Sequence, residues 1–136
     1  MLKKLLFLSA AVLALMPMTV HAENRSYYYD RIDATITVNS DSTLTIEERQ
    51  TYNYIGKYTV GWRSIDLNKL GSVTDVEVFD GETGERLEKL FKRPVTDTSL
   101  PTTSDYGKYA TFRQNGHQNI EWYYNMKNTT HTWILK

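Results

Sequence analysis

Ile32-Asp33-Ala34-Thr35-Ile36-Thr37-Val38 sets an apolar side chain at every second position, with a polar one between each pair. That period of two marks a strand with one face in the core and one in water. Asn39-Ser40-Asp41-Ser42 follows as a turn. The alternation then resumes through Leu44, Ile46, Tyr52 and Tyr54, opposed by Thr45, Glu47, Arg49 and Thr51. The spacing predicts a β-hairpin. Glu48 and Gln50 fall on the apolar parity, so the middle of the second strand must meet an edge, a bulge or a bend.

Strand character continues beyond the hairpin. Lys57 to Leu67 carries Tyr58, Val60, Trp62 and Ile65, with Gly56 and Gly61 as bend points. Val73, Val76, Val78 and Phe79 form the next strand, ended by Asp80-Gly81-Glu82-Thr83-Gly84, a tight turn whose glycines tolerate positive φ. Arg86 to Phe91 pairs back across that turn. Lys92 to Asp105, with Pro94, Pro101 and many Thr, Ser and Asp residues, reads as an irregular surface loop. Tyr106 to Arg113 and Gln118 to Tyr124 flank Asn115-Gly116, a strong hairpin signal, and His131 to Lys136 is a last strand. Short strands spaced by turns, with no alternating helices, predict an all-β fold: an antiparallel, immunoglobulin-like β-sandwich over residues 23–136. The last strand runs to Lys136, which reads as truncation of a longer protein.

Ahead of this domain, residues 1–22 read as the helix of a signal peptide. Lys3 and Lys4 give a positive start, Leu5 to Met16 an apolar run, and Val20-His21-Ala22 a small-residue cleavage site before Glu23. The run is shorter than the roughly 20 residues that span a bilayer. Export places the domain outside the cytoplasm, at the cell surface or in the periplasm. Of the 136 residues, removal of 22 leaves 114, and loss of two lysines turns a neutral chain into one of net charge −2. Such a balance carries no footprint for nucleic acid. The chain has no cysteine, which removes thiol catalysis, cysteine metal sites and disulfides, so the core must hold by packing.

The strand sequences carry a resemblance. Tyr29-Asp30-Arg31-Ile32-Asp33-Ala34-Thr35-Ile36-Thr37-Val38, Asp41-Ser42-Thr43-Leu44-Thr45-Ile46-Glu47-Glu48, Gly61-Trp62-Arg63-Ser64-Ile65 and Thr132-Trp133-Ile134-Leu135-Lys136 together resemble the extracytoplasmic N-terminal domain of bacterial predicted membrane proteins of domain-of-unknown-function family 2207. Ser42 stands where that family often has glycine, and Asp66 where proline often falls. The resemblance implies a β-sandwich outside the membrane and membrane attachment through segments absent from this chain. It implies no activity and no catalytic residues.

The residues themselves offer few chemical sites. His117 and His131 lack ligand spacing for zinc, and no nucleophile elbow is present. Glu47, Glu48, Asp75, Glu77 and Glu121 supply carboxylates for an exported hydrolase only if two of them face one another across a cleft. Asp80, Glu82 and Glu85 are weak candidates for calcium, without the regular ligand series of a calcium loop. Arg63 reads as a structural anchor whose guanidinium holds a carboxylate and pins two strands. Ten tyrosines and three tryptophans form a surplus. Tyr27-Tyr28-Tyr29 and Trp122-Tyr123-Tyr124 cannot all face one core, so Tyr28, Trp122 and Tyr124 are candidate binding residues.

These features point to a non-enzymatic, cofactor-free module of a membrane-anchored surface protein that contacts a protein or ligand. The alternative is a carbohydrate- or cell-wall-binding module using exposed Tyr and Trp. The partners expected are therefore an unknown protein or a cell-wall glycan.

Overall fold

The computed structural model describes residues 24–136. The segment expected as a signal-peptide helix lies outside the described residues, and no helix occurs among those described. Six strands run in order: β1 (Ser26–Val38), β2 (Leu44–Asp66), β3 (Val78–Asp80), β4 (Glu88–Lys89), β5 (Lys108–Gln114) and β6 (His117–Leu135). They form one open sheet in the order β1-β2-β6-β5-β4, with β3 on the far half of β6. All pairs are antiparallel except β4 with β5.

The fold is all-β, but the immunoglobulin-like sandwich is corrected to a single mixed sheet. The reason lies in two strands of unusual length. Residues expected as two strands on either side of Gly56 are one strand, β2, of 23 residues. Those expected on either side of Lys127 are likewise one strand, β6, of 19 residues. Each carries a one-residue bulge against the other, between Tyr54 and Lys57 in β2 and between Tyr123 and Met126 in β6. A bulge changes which face the following residues present while the ladder continues. Gly56 takes φ +82° at the first bulge, with its N–H donating to Asn128 Oδ1 at 2.7 Å.

The bulges also bend the sheet. Arg63 and Glu48 lie 15 residues apart on β2, about 50 Å along a straight strand. Yet Arg63 Nε and Nη2 donate to the two Glu48 carboxylate oxygens at 2.9 and 2.8 Å. Arg63 is thus an anchor as expected from its chemistry, but it ties two halves of one strand rather than two strands. Gln50 Nε2 donates to the same carboxylate at 2.8 Å, and Tyr52 Oη donates to Gln50 Oε1 at 2.8 Å. The polar residues on the apolar parity are therefore mutually satisfied, as buried polar groups must be. Arg63 holds the Glu48 carboxyl below the usual range, against the opposing effect of burial.

The core sits inside the bend. Tyr52 and Tyr54 of β2 meet Ile120, Trp122, Tyr124, Trp133 and Leu135 of β6, Tyr109 of β5 and Val76, Val78 and Leu87 from the β3–β4 region. Trp122 lies flat on Gly61: a Cβ there would come within 2.1 Å of the indole. Close approach, not backbone angle, also explains Gly81, whose Cβ would meet Thr132 O at 2.7 Å, while Gly84 takes the positive φ of that turn. Asn115 and Gly116 both have positive φ, the conformation a two-residue hairpin turn requires.

On the opposite face, the loop after β4 is fastened by a buried charge. Arg93 Nε and Nη2 donate to the two oxygens of Glu121 at 2.8 and 2.7 Å, and Tyr123 Oη adds a third bond at 3.1 Å. The guanidinium lies 4.4 Å over the Phe112 ring.

Candidate functional site: the outer edge and apolar face of the β1–β2 hairpin

β1 is the edge strand, paired with β2 on one side and with no described strand on the other. Its register aligns Ile32 with Gln50, Ala34 with Glu48, Ile36 with Ile46 and Val38 with Leu44. These pairs lie on the same face as Tyr52, Trp133 and Leu135, since Gln50 pairs in turn with Trp133 and Glu48 with Leu135. The alternation read from the sequence is therefore real, but the core does not extend under it. Ile32, Ile36 and Val38 are 52%, 59% and 75% exposed, and Leu44 and Ile46 are also open. Six apolar residues thus continue the core face past the polar cluster of Arg63, Glu48 and Gln50, and all six are exposed.

The backbone of the same residues is also unpaired on its outer side. Asn39 N donates to Thr43 O at 2.9 Å next to the turn. Antiparallel ladders alternate bonded and non-bonded pairs, so Thr37, Thr35, Asp33 and Arg31 bond to β2. Ile32, Ala34, Ile36 and Val38 then point their N–H and C=O outward. Exposed edges are commonly blunted by a bulge, a charge or proline. Here the bulge falls between Tyr29 and Arg31, and the charges are Asp30, Arg31 and Asp33, the last two joined at 2.6 Å. The devices gather at one end. Ala34 to Val38 carry none.

The turn that sets this register is built by side chains. Asp41 Oδ1 accepts from Thr43 N at 3.0 Å and from Thr43 Oγ1 at 2.6 Å, which depresses the Asp41 carboxyl. Ser42 takes φ +67°, a conformation glycine adopts more freely.

The residues singled out in the sequence fall elsewhere. Tyr28 is half-exposed on the polar face of β1, opposite Asn53. Trp122 is fully buried and Tyr124 nearly so. Tyr124 Oη accepts from Tyr54 Oη and donates to Val60 O, both at 3.0 Å, and burial drives its phenol pKa strongly up. The three do not converge. Tyr27 and Tyr29 turn to the core face instead, their rings 5.8 and 4.5 Å from Tyr52. The most exposed tryptophan is Trp62, which the sequence does not distinguish; its Nε1 donates to the buried Asn119 at 3.1 Å.

Of the acidic turn, Asp80 Oδ1 accepts from the backbone N–H of Glu82 and Thr83 at 2.8 and 3.0 Å, while its Oδ2 lies 3.1 Å from His131 Nε2. Glu82 and Glu85 stay exposed. No group of three or more metal-ligating side chains forms among the described residues. A cleft of about 570 Å³ opens between Asp75, Glu77, Arg86, Glu88, Lys89 and Tyr109, and Arg86 Nη1 closes on Glu77 Oε1 at 2.6 Å. A smaller one, about 270 Å³, touches the edges of Tyr106, Tyr124 and Trp133.

No helix among the described residues is long and apolar enough to cross a membrane. Comparison of the chain with protein-family models, with curated proteins and with solved structures finds no match.

Proposed function

We propose that this chain is an extracytoplasmic protein-contact module, exported by residues 1–22 and belonging to a membrane-anchored surface protein, that works through the β1–β2 hairpin. One observation carries the reading. The same four residues of β1 combine unpaired backbone groups with an uncovered apolar face, which is the arrangement that accepts an added strand. Main-chain bonds along the edge would give affinity, and the Ile32, Ile36 and Ile46 side chains would give register. The signal sequence and the family resemblance support export and attachment; neither chemistry nor a cofactor is needed for the role.

The test is cross-linking of intact cells carrying the full chain, with and without Ile32→Thr, Ile36→Thr and Ile46→Thr together. Threonine suits strands, and exposed substitutions shift stability by about 0.5 kcal/mol or less each, so circular dichroism should stay unchanged. The expected result is loss of the cross-linked species in the triple variant. Retention of the same species at the same yield would end the reading.

A second reading, stacking on a cell-wall glycan, is favoured by one feature: Trp62 is open to solvent and pinned by Asn119. Glycan binding abolished by Trp62→Ala, with the triple variant unaffected, would put it first.

A further inference from the structure

Resting on that reading, we propose that the partner strand is β1 of a second copy, paired antiparallel about a two-fold axis at Thr35. Antiparallel self-pairing keeps the two faces aligned only when the axis passes through a residue, so few registers exist. An axis at Arg31 or at Asp33 sets that charge directly opposite its own copy, which is unfavourable. An axis at Ile32 runs Ala34 into the bulge beside Tyr29. Axes at Ala34 and at Ile36 engage three of the four outward-facing residues and set Val38 against Asp30 or Ile32 against Ser40, whereas the axis at Thr35 uses all four. It sets Ile32 against Val38 and Ala34 against Ile36 twice over on the apolar face. On the polar face Thr35 meets Thr35, Asp33 meets Thr37 and Arg31 meets Asn39. No like charges oppose one another, and Arg31 and Asp33 already neutralise each other within each strand. Along the whole overlap apolar residues meet apolar ones and polar residues meet polar ones, and each charge faces a neutral polar partner. A closed two-fold pair also ends the exposed edge instead of propagating it.

The geometry yields a sharp test. Because Ile32, Ala34, Ile36 and Val38 bond outward, Thr35 would sit in a non-hydrogen-bonded pair with its copy, Cα atoms about 4.5 Å apart, within reach of a disulfide. Thr37, two residues on and equally exposed on the same face, would lie about 13 Å from its copy along the strand. The chain has no cysteine of its own, so a single engineered thiol can react only with its counterpart. Under mild oxidation of the full chain, Thr35→Cys is expected to convert mostly to a covalent dimer, and Thr37→Cys to remain mostly monomeric. Sedimentation of the unaltered chain should show a dimer that grows with concentration. Equal cross-linking at both positions, or none at either, would overturn the pairing. If neither position cross-links and the triple threonine variant still loses its cellular contacts, self-pairing fails while the contact reading stands. If that variant loses nothing, the contact reading fails as well.

Discussion

Trp122→Ala is expected to cost about 3–5 kcal/mol, the range for emptying a fully buried tryptophan site. Against a total stability of about 5–15 kcal/mol for such a domain, that leaves the chain at or near unfolding. The site has little means of collapsing. Trp122 is fully buried, packs 6.4 Å from Trp133 between ring centres, and rests on Gly61. The floor is backbone, and β2 and β6 are hydrogen-bonded on both sides of it, Gly61 pairing with Trp122 itself. The converse change, Gly61→Ala, should also destabilise, because its methyl would enter the indole at 2.1 Å. Urea denaturation followed by circular dichroism measures both. A loss under 1 kcal/mol for Trp122→Ala would mean that the two halves of the long strands do not hold one another through this ring.

Arg93→Ala is expected to cost about 3 kcal/mol, the lower part of the range for breaking a buried ion pair. The mechanism differs from the tryptophan's. The Glu121 side chain is only 5% exposed, and loss of the guanidinium leaves its carboxylate with a single phenol donor, Tyr123. Arg93 itself is 36% exposed, and water reaching the vacated space softens the loss. The loop after β4 should loosen near Arg93 at the same time, since Arg93 is one of its ties to the sheet. A paired change, Arg93→Met with Glu121→Gln, removes both charges and should recover most of the stability. If the double variant is as unstable as the single one, the loop's packing rather than the buried charge carries the effect.

How far the sequence spoke can be seen strand by strand. Alternation through Ile32 to Val38 and the two hairpin turns were legible because each is local: period two and turn chemistry act within a few residues. The continuity of β2 and β6 was not. In β6 the apolar parity switches from Ile120, Trp122 and Tyr124 to Trp133 and Leu135, with polar residues between. A break between two strands and a bulge within one produce the same pattern, and only the partner's ladder decides between them. That ambiguity is what turned one bent sheet into an expected sandwich. Glu48 and Gln50 posed the same difficulty. Their partner Arg63 is 15 residues along the same strand, and it is near only because the strand bends.

The candidate site was half legible for a related reason. Alternation identifies an apolar face, and the ordinary inference is that something covers it. In β1 and the start of β2 the face is genuine, yet its apolar side chains stay exposed among the described residues. Trp122 and Tyr124 show the reverse: strand parity alone suggested that some of these rings must be exposed, but the bend supplies a second wall that buries them. Arg93 gave no signal at all, lying in a loop of low apolar content and acting through a carboxylate 28 residues away.

Residue-resolved amide exchange of the full chain, dilute and then concentrated or partner-bound, tests the hairpin most directly. In the dilute chain Arg31, Asp33, Thr35 and Thr37 should exchange slowly, while Ile32, Ala34, Ile36 and Val38 exchange fast. In the assembled state those four amides should become protected together. An assembled state in which they still exchange at their dilute rates would contradict the assignment of this edge as the contact surface.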